Sequence, residues 1–301
     1  MAKEPRIAII GAGELGRALE SRFIEKSASV KVWDRDVAKR NALPTGVNSP
    51  EEATDRAAYV FFAVPSWAMR SALGTVMPAI PPATAVVSLA KGIEKDTGKT
   101  MSELLDELLP RFQPRAVVGG PMLAEELEAG KGGVAVVASK DEILRRKLCD
   151  LFAAPDLQAE PSNDPFSVSL AGALKNVYAI SLGIADGLGL SSDKKGWLAA
   201  RALDEMTSVA KRLGADADVV LGTAGAADLI ATGYSEYSRN HAVGHEIATK
   251  GTCPLESEGA SSLPPLMERL GPGAATFPLL SVIRSIAIEC KPARDMIEHY
   301  V

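Results

Sequence analysis

The chain has 301 residues, 47% of them hydrophobic and 24% charged, which excludes disorder over most of its length and suits two domains or one large one. With 33 basic and 38 acidic residues the net charge is −5, which argues against a nucleic-acid partner, because neutralising phosphates takes a basic surface. A small anion held by a few local cations remains compatible with that balance.

Met1-Ala2-Lys3-Glu4-Pro5 passes straight into an apolar strand, and the glycine turn after it leaves too short an apolar run for a signal peptide. Strands are predicted over residues 6–10, 30–34, 59–64, 85–89, 115–118 and 134–138. These are short, continuous apolar runs, the pattern of parallel strands covered on both faces. Between the first two, residues 14–26 place Leu15, Leu19 and Phe23 on one helical face. Ser49-Pro50-Glu51-Glu52 reads as a helix start, with Ser49 as cap, Pro50 at the first helical position and Glu52 reaching back. The longest uncharged run, residues 71–90, carries Pro78, Pro81 and Pro82 and is no membrane span. Alternation of strand and helix implies a Rossmann-type, doubly wound parallel sheet.

Near residues 157–161 the pattern changes to helix with almost no strand signal. Helices are predicted over 164–188, which is unusually apolar, and over 197–213, which ends at Gly214 as a C-cap. Others follow over 216–221, 225–231, 239–250, 262–270 and 276–289. The expected organisation is a dinucleotide-binding domain over residues 1–160 and an all-α catalytic domain over 161–301. Cys149, Cys253 and Cys290 are widely spaced and form no CxxC pair, so they read as buried thiols in a reducing cytoplasm.

Ile10-Gly11-Ala12-Gly13-Glu14-Leu15-Gly16 is G-x-G-x-x-G between a strand and a helix. Gly11 permits the turn, Gly13 lets a diphosphate approach the backbone, and Gly16 lets helix and strand close up. The N–H groups opening the helix at Glu14 and Leu15 face the phosphates. Asp34 ends the second strand at the spacing of a ribose-binding carboxylate, which favours NAD. The adjacent Arg35 could instead meet the 2′-phosphate of NADP.

Five further segments carry a resemblance: Ser88-Leu89-Ala90-Lys91-Gly92-Ile93-Glu94, Gly119-Gly120-Pro121-Met122-Leu123-Ala124, Gly172-Ala173-Leu174-Lys175-Asn176, Gly225-Ala226-Ala227-Asp228-Leu229-Ile230-Ala231-Thr232, and Ser238-Arg239-Asn240. With the glycine turn, they stand in the order and spacing of the NAD(P)-dependent glycerol-3-phosphate dehydrogenases, over nearly the whole chain. Val64-Pro65-Ser66 resembles that family's loop after its central strand. The resemblance implies reduction of dihydroxyacetone phosphate to glycerol 3-phosphate with NAD(P)H, a step serving glycerophospholipid synthesis.

It also implies roles. Lys175 becomes the proton donor, positioned by Asp228, with Lys91 touching both substrate and cofactor. Arg239 and Asn240 would hold the substrate phosphate, assisted by Ser238 and Thr232, with Asn176 and Gly120 lining the substrate. Pro65, Ala124 and Glu258 would join the glycine turn around the cofactor. The residues allow plainer readings: a lysine at a helix edge usually snorkels, and Ser238 alone would cap a helix. A buried lysine with lowered pKa, however, is a competent acid, and arginine at a helix start is a phosphate site.

His241 and His245, four apart on one helix, lack a third ligand and read as two partly exposed side chains, with no metal. The implied partner is a small phosphorylated ketone, and the resemblance allows a homodimer. Departures from the family are Met122 and Leu123 where a hydroxyl residue is usual, Ala227 for glycine, Asp193 and Lys194 for Asn-Ala, and a shortened stretch from residue 34 to 59. A related dehydrogenase for another phosphorylated or carboxylated ketone or hydroxyacid is the alternative. A dinucleotide-binding sensor without turnover stands further off.

Overall fold

A computed structural model describes residues 5–26, 28–251 and 257–300. The chain divides into two compact units, residues 1–90 with 101–165, and residues 91–100 with 166–301. The boundary expected after residue 160 falls inside a strand, and the 91–100 segment belongs with the helices.

Unit 1 holds a seven-stranded sheet: β1 (Arg6–Ile10), β2 (Ser29–Trp33), β3 (Tyr59–Phe62), β4 (Ala85–Ser88), β5 (Arg115–Gly119), β6 (Gly133–Ala138) and β7 (Leu157–Ser162), in the order β2-β1-β3-β4-β5-β6-β7. β1 pairs in parallel with β2 on one side and β3 on the other, so the chain reverses its winding direction at the carboxyl end of β1. Ligands of open α/β sheets bind at such a switch point.

The Rossmann-type sheet stands as expected, with two differences. β5 and β6 pair antiparallel, and β7 adds an unforeseen edge strand parallel to β6. Gln158, Glu160 and Pro161 break the apolar run that marks an inner strand. An edge strand tolerates them, because one side needs no donor.

The helices of unit 1 are α1 (Glu14–Glu25), α2 (Val37–Asn41), α3 (Pro50–Thr54), α4 (Met69–Val76), α5 (Met101–Leu108), α6 (Ala124–Glu128) and α7 (Glu142–Phe152). Phe23 of α1, Phe61 of β3 and Phe152 of α7 form one aromatic cluster, with centroids 5.1–5.8 Å apart, which locks both helices to one face of the sheet. Ser49 caps α3 as expected, while Glu52 turns back to the N–H of Asn48 rather than that of the cap.

Unit 2 is helical: α8 (Pro165–Gly187), α9 (Ser192–Arg212), α10 (Ala217–Leu221), α11 (Asp228–Gly233), α12 (Arg239–Lys250), α13 (Glu258–Leu270), α14 (Pro278–Ala287) and α15 (Ala293–Tyr300). From Ser167 to Ala185 every residue of α8 is buried, which explains its lack of a polar face. α8 is the one described helix long and apolar enough to cross a membrane, and its apolar stretch lies wholly inside the protein.

α12 crosses α8 backbone to backbone. A Cβ on Gly183 would overlap the carbonyl of His241, and one on Gly244 would overlap that of Ile180. α9 starts five residues before the predicted position because Ser191 caps it. Gly214 takes the left-handed conformation (φ 81°) just past its end. Glu205 of α9 accepts the N–H groups of Leu279 (2.6 Å) and Leu280 (2.9 Å), so it caps α14, and it takes the hydroxyl of Tyr178 as well.

Cys149 is a half-buried free thiol, whereas Cys290 is exposed and disulfide-bonded, against the expectation of buried thiols in a reducing compartment; Cys253 lies outside the described residues.

Candidate active site

In unit 1 the glycine turn lies at the switch point. Gly11 has φ 106°, and a Cβ there would strike the carbonyl of Ala63, while one on Gly16 would strike the carbonyl of Gly11. The fold itself therefore demands those two glycines. A Cβ on Gly13 would meet no protein atom within 4 Å. Its small size matters only to something that approaches from outside, as a dinucleotide's diphosphate does. Gly13 is also the N-cap of α1 and supplies no side-chain partner, so the N–H groups opening that twelve-residue helix stay available to an anion. Glu14 is exposed and Leu15 half-buried in that first turn.

Asp34 accepts the N–H of Ala12 (2.7 Å) through one carboxylate oxygen and the N–H of Asp36 (2.8 Å) through the other. The carboxylate thus fixes the glycine turn, and its remaining lone pairs face a cleft of about 220 Å³ lined also by Gly11, Arg35, Lys39 and Pro65. Arg35 and Lys39 are exposed and make no side-chain hydrogen bond or ion pair among the described residues. The cleft therefore offers a carboxylate for a ribose hydroxyl and two cations for a phosphate, a lining that fits NAD and NADP alike.

Gly120 follows β5 in the left-handed region (φ 86°), and Ala124 opens α6 as a buried residue. Met122, one of the departures from the family pattern, is only 8% exposed and packs in the core of the sheet unit.

In unit 2, Lys175 lies 5% exposed at the middle of α8, not snorkelling. Its Nζ is 3.0 Å from Asp228 Oδ1 and 3.4 Å from the hydroxyl of Thr232. Lys91 Nζ is 2.8 Å from Asp228 Oδ2. One fully buried carboxylate thus serves two ammonium groups. Asp228 directly follows a π-helical turn, Thr223–Ala227, that opens α11. Thr232 in turn donates its hydroxyl to the carbonyl of Asp228 (2.6 Å).

Burial lowers the pKa of Lys175 from 10.5 to about 8; Asp228 opposes the shift, Lys91 adds to it, and Glu258 also opposes it. The result is an acid that gives and takes a proton near neutral pH. The pairing of Lys91 with Asp228, 137 positions apart, has no signature in the sequence.

A chain of amides holds this cluster in place. Asn176 donates to the carbonyl of Lys91 (2.7 Å), Asn240 donates to Asn176 Oδ1 (2.9 Å), and the N–H of Gly259 donates to Asn240 Oδ1 (2.8 Å). Both asparagine amides keep one N–H unused by these bonds. A Cβ on Gly259 would overlap the carbonyl of Asn176, so the start of α13, with Glu258, abuts α8 directly. The stem of Lys91 rests on Gly172.

Ser238 caps α12 by accepting the N–H of His241. Arg239 is exposed and has no hydrogen bond or ion pair among the described residues, which leaves its whole guanidinium for an anion. His241, expected to be partly exposed, is buried, with Nε2 3.4 Å from Asp186 Oδ2; burial lowers its pKa, while Asp186 opposes that. His245 is exposed.

Residues 42–144 match the family model described as NAD-dependent glycerol-3-phosphate dehydrogenase N-terminus, and residues 164–298 match that of its C-terminus. The glycerol-3-phosphate dehydrogenase (NAD(P)+) of Azotobacter vinelandii is 35% identical over 99% of this chain and 94% of its own length. That of Streptomyces coelicolor is 32% identical over 97% and 94%. Among solved structures, glycerol-3-phosphate dehydrogenase from Coxiella burnetii superposes with a TM-score of 0.91 at 24% identity, covering 99% of this chain and 98% of that one. The Saccharomyces cerevisiae enzyme does so with a TM-score of 0.78 at 19% identity, covering 98% and 100%. At those identities the two structures speak to the fold.

Proposed function

The chain belongs to the NAD-dependent glycerol-3-phosphate dehydrogenase family and is an NAD(P)-dependent dehydrogenase; we propose that it interconverts dihydroxyacetone phosphate and glycerol 3-phosphate with Lys175 as the group that gives and takes the proton. The observation that carries this reading is the Lys175–Asp228–Lys91 cluster, a buried ammonium with its pKa at about 8, held on a shared carboxylate.

The nicotinamide cofactor supplies and accepts the hydride when bound. Gly11, Gly13, Gly16 and the first N–H groups of α1 at Glu14 and Leu15 hold its diphosphate. Asp34 and Arg35 read its adenosine ribose, and Pro65 and Ala124 line its path. Lys175 donates a hydrogen bond to the ketone oxygen and gives up its proton as that oxygen becomes an alkoxide; in the other direction the neutral amine takes the proton from the hydroxyl.

Asp228 keeps Lys175 aimed and offsets the desolvation of both lysines. Lys91 adds a second positive charge beside the developing oxyanion. Arg239, supported by the N-terminus of the twelve-residue α12, grips the phosphate. Asn176 and Asn240 direct their spare N–H groups to the substrate while fixing the backbones of Lys91 and Gly259. Ser238 and Thr232 hold these elements in register, and Gly120 shapes its turn. The proposed compartment is the cytoplasm, where the disulfide at Cys290 is an uncommon feature.

The test is oxidation of NADH and NADPH, followed by absorbance, against dihydroxyacetone phosphate, dihydroxyacetone and a panel of 2- and 3-ketoacids. Turnover confined to the phosphorylated ketone is expected. Turnover of a ketoacid in its place would overturn the assignment.

A further inference from the structure

Unit 1 holds a larger cavity than the dinucleotide cleft, and the two share no lining residue. It measures about 520 Å³ and lies at the amino end of β5, walled by α5, the turn at residues 109–114, the turn at residues 139–141 and Pro165. We propose that this cavity is a second ligand site that takes an amphiphilic phosphate monoester, a dianionic head joined to a flat apolar body.

Three observations carry the proposal. The first is a rigid turn that shows an aromatic ring to solvent. Gln113 is buried and donates its amide to the carbonyls of Pro81 (3.2 Å) and Thr84, while its N–H bonds the carbonyl of Pro110 (2.9 Å). Arg115 ties the same turn through the carbonyls of Leu105 (3.0 Å), Gln113 (3.2 Å) and Pro110. The backbone around Phe112 is thus anchored on both sides, yet Phe112 is 70% exposed. A side chain of that size left in water on a fixed backbone forgoes its own burial and offers it to a ligand.

The second is a lining with net positive charge, three cations, Arg111, Arg115 and Lys140, against two carboxylates. The two carboxylates of the cavity are already engaged: Asp106 takes a bond from Arg115 (3.3 Å), and Asp141 caps α7 by accepting the N–H groups of Ile143 (2.9 Å) and Leu144 (3.1 Å). Arg111 and Lys140 are exposed, line the cavity from two different turns and have no hydrogen bond or ion pair among the described residues. In a chain of net charge −5, two free cations facing one cavity are a local reversal of sign.

The third is the arrangement. The cations come from two separate turns, which suits a head carrying two negative charges, and Phe112, Leu105, Pro114 and Pro165 supply the apolar wall for the body.

The probe is 1-naphthyl phosphate, followed by fluorescence anisotropy with the full chain. NAD+ and dihydroxyacetone phosphate are present at saturation; as both are oxidised they occupy their sites without reacting. Saturable binding is expected, weakened about tenfold or more by Arg111→Glu and by Lys140→Glu, and weakened also by Phe112→Ala. Arg35→Glu should leave it unchanged, and 1-naphthol should bind far more weakly. These are surface positions, and the far-UV spectrum and melting temperature of each variant verify its fold. No binding, binding indifferent to Arg111 and Lys140, equal binding of 1-naphthol, or loss of binding in Arg35→Glu would each overturn the proposal.

Discussion

Lys175 and Lys91 reach opposite oxygens of one carboxylate, that of Asp228, at 3.0 and 2.8 Å. The pair of cations carries one more charge than its counter-ion in a water-poor site, and Asp228 is what favours the charged form of Lys175 there. Asp228→Asn keeps the shape and removes the charge. Because Asp228 is the main influence raising the pKa of Lys175, the variant should hold its lysine proton less tightly. In the ketone-reducing direction the alkaline limb of kcat/KM should move to lower pH, with kcat falling at least about tenfold. An unmoved limb would separate Asp228 from the acid.

Lys175 also sets opposite pH dependences for the two directions. Reduction needs the ammonium, present below pH about 8, and should decline as pH rises through that value. Oxidation needs the neutral amine and should rise toward the same value. Stability follows the same shift: the folded pKa lies below the unfolded 10.5, the unfolded chain binds more protons in between, and stability therefore increases from pH 8 to 10.5. Lys175→Met should abolish that increase and cut turnover by about 10²–10⁴, with dinucleotide affinity unchanged by fluorescence titration.

Gly13→Asp tests the glycine turn. Its Cβ meets no protein atom, so the fold should survive, but the carboxylate would lie where the N–H groups of α1 await a diphosphate. NADH binding should fall below detection with the melting temperature kept within a few degrees. The same side chain at Gly16 should cost the fold itself.

The anion anchor is read from KM for dihydroxyacetone phosphate. Arg239→Ala should weaken binding by about 1.5–3 kcal/mol, the range of a lost charge-assisted bond, and Arg239→Lys by less. Unphosphorylated dihydroxyacetone should respond to neither change. A wild type that does not distinguish the two ketones would rule Arg239 out.

Glu205 is a stability test remote from the chemistry. Glu205→Ala leaves the N–H groups of Leu279 and Leu280 and the Tyr178 hydroxyl without their buried acceptor. Unpaired buried groups cost about 1–3 kcal/mol each, so urea unfolding should show a loss of about 3 kcal/mol or more, with Glu205→Gln losing less.

The parts legible in the sequence were those with local signatures. Gly11-Ala12-Gly13-Glu14-Leu15-Gly16 announces its own turn, and the bounds predicted for the helix at 239–250 match α12, because Ser238 caps it and Gly251 ends it. Lys175 stood out as a cation inside an apolar helix. What escaped was tertiary. β7 is a polar edge strand, and its pairing is set by the neighbour rather than by its own pattern. The grip of Asp228 on Lys91 and that of Glu205 on α14 join residues 137 and about 75 positions apart through single contacts that leave no periodicity.

The glycine crossing of α8 and α12 makes the helical unit a molecular ruler. Lys175 sits on one rod and Arg239 begins the other, and where the rods touch there is no side chain whose rotamer could alter their spacing. On the proposed roles of Lys175 and Arg239, the spacing of the backbones that carry the groups for the ketone oxygen and the anion is therefore set by main-chain contact. A ketone whose phosphate lies one carbon further along would have to fold its own chain to reach both ends. Its discrimination should appear in kcat as much as in KM, since a bent substrate loses the alignment of its carbonyl. Enlarging Gly183 or Gly244 to alanine would reset the ruler itself, at a distance from every atom that touches the substrate.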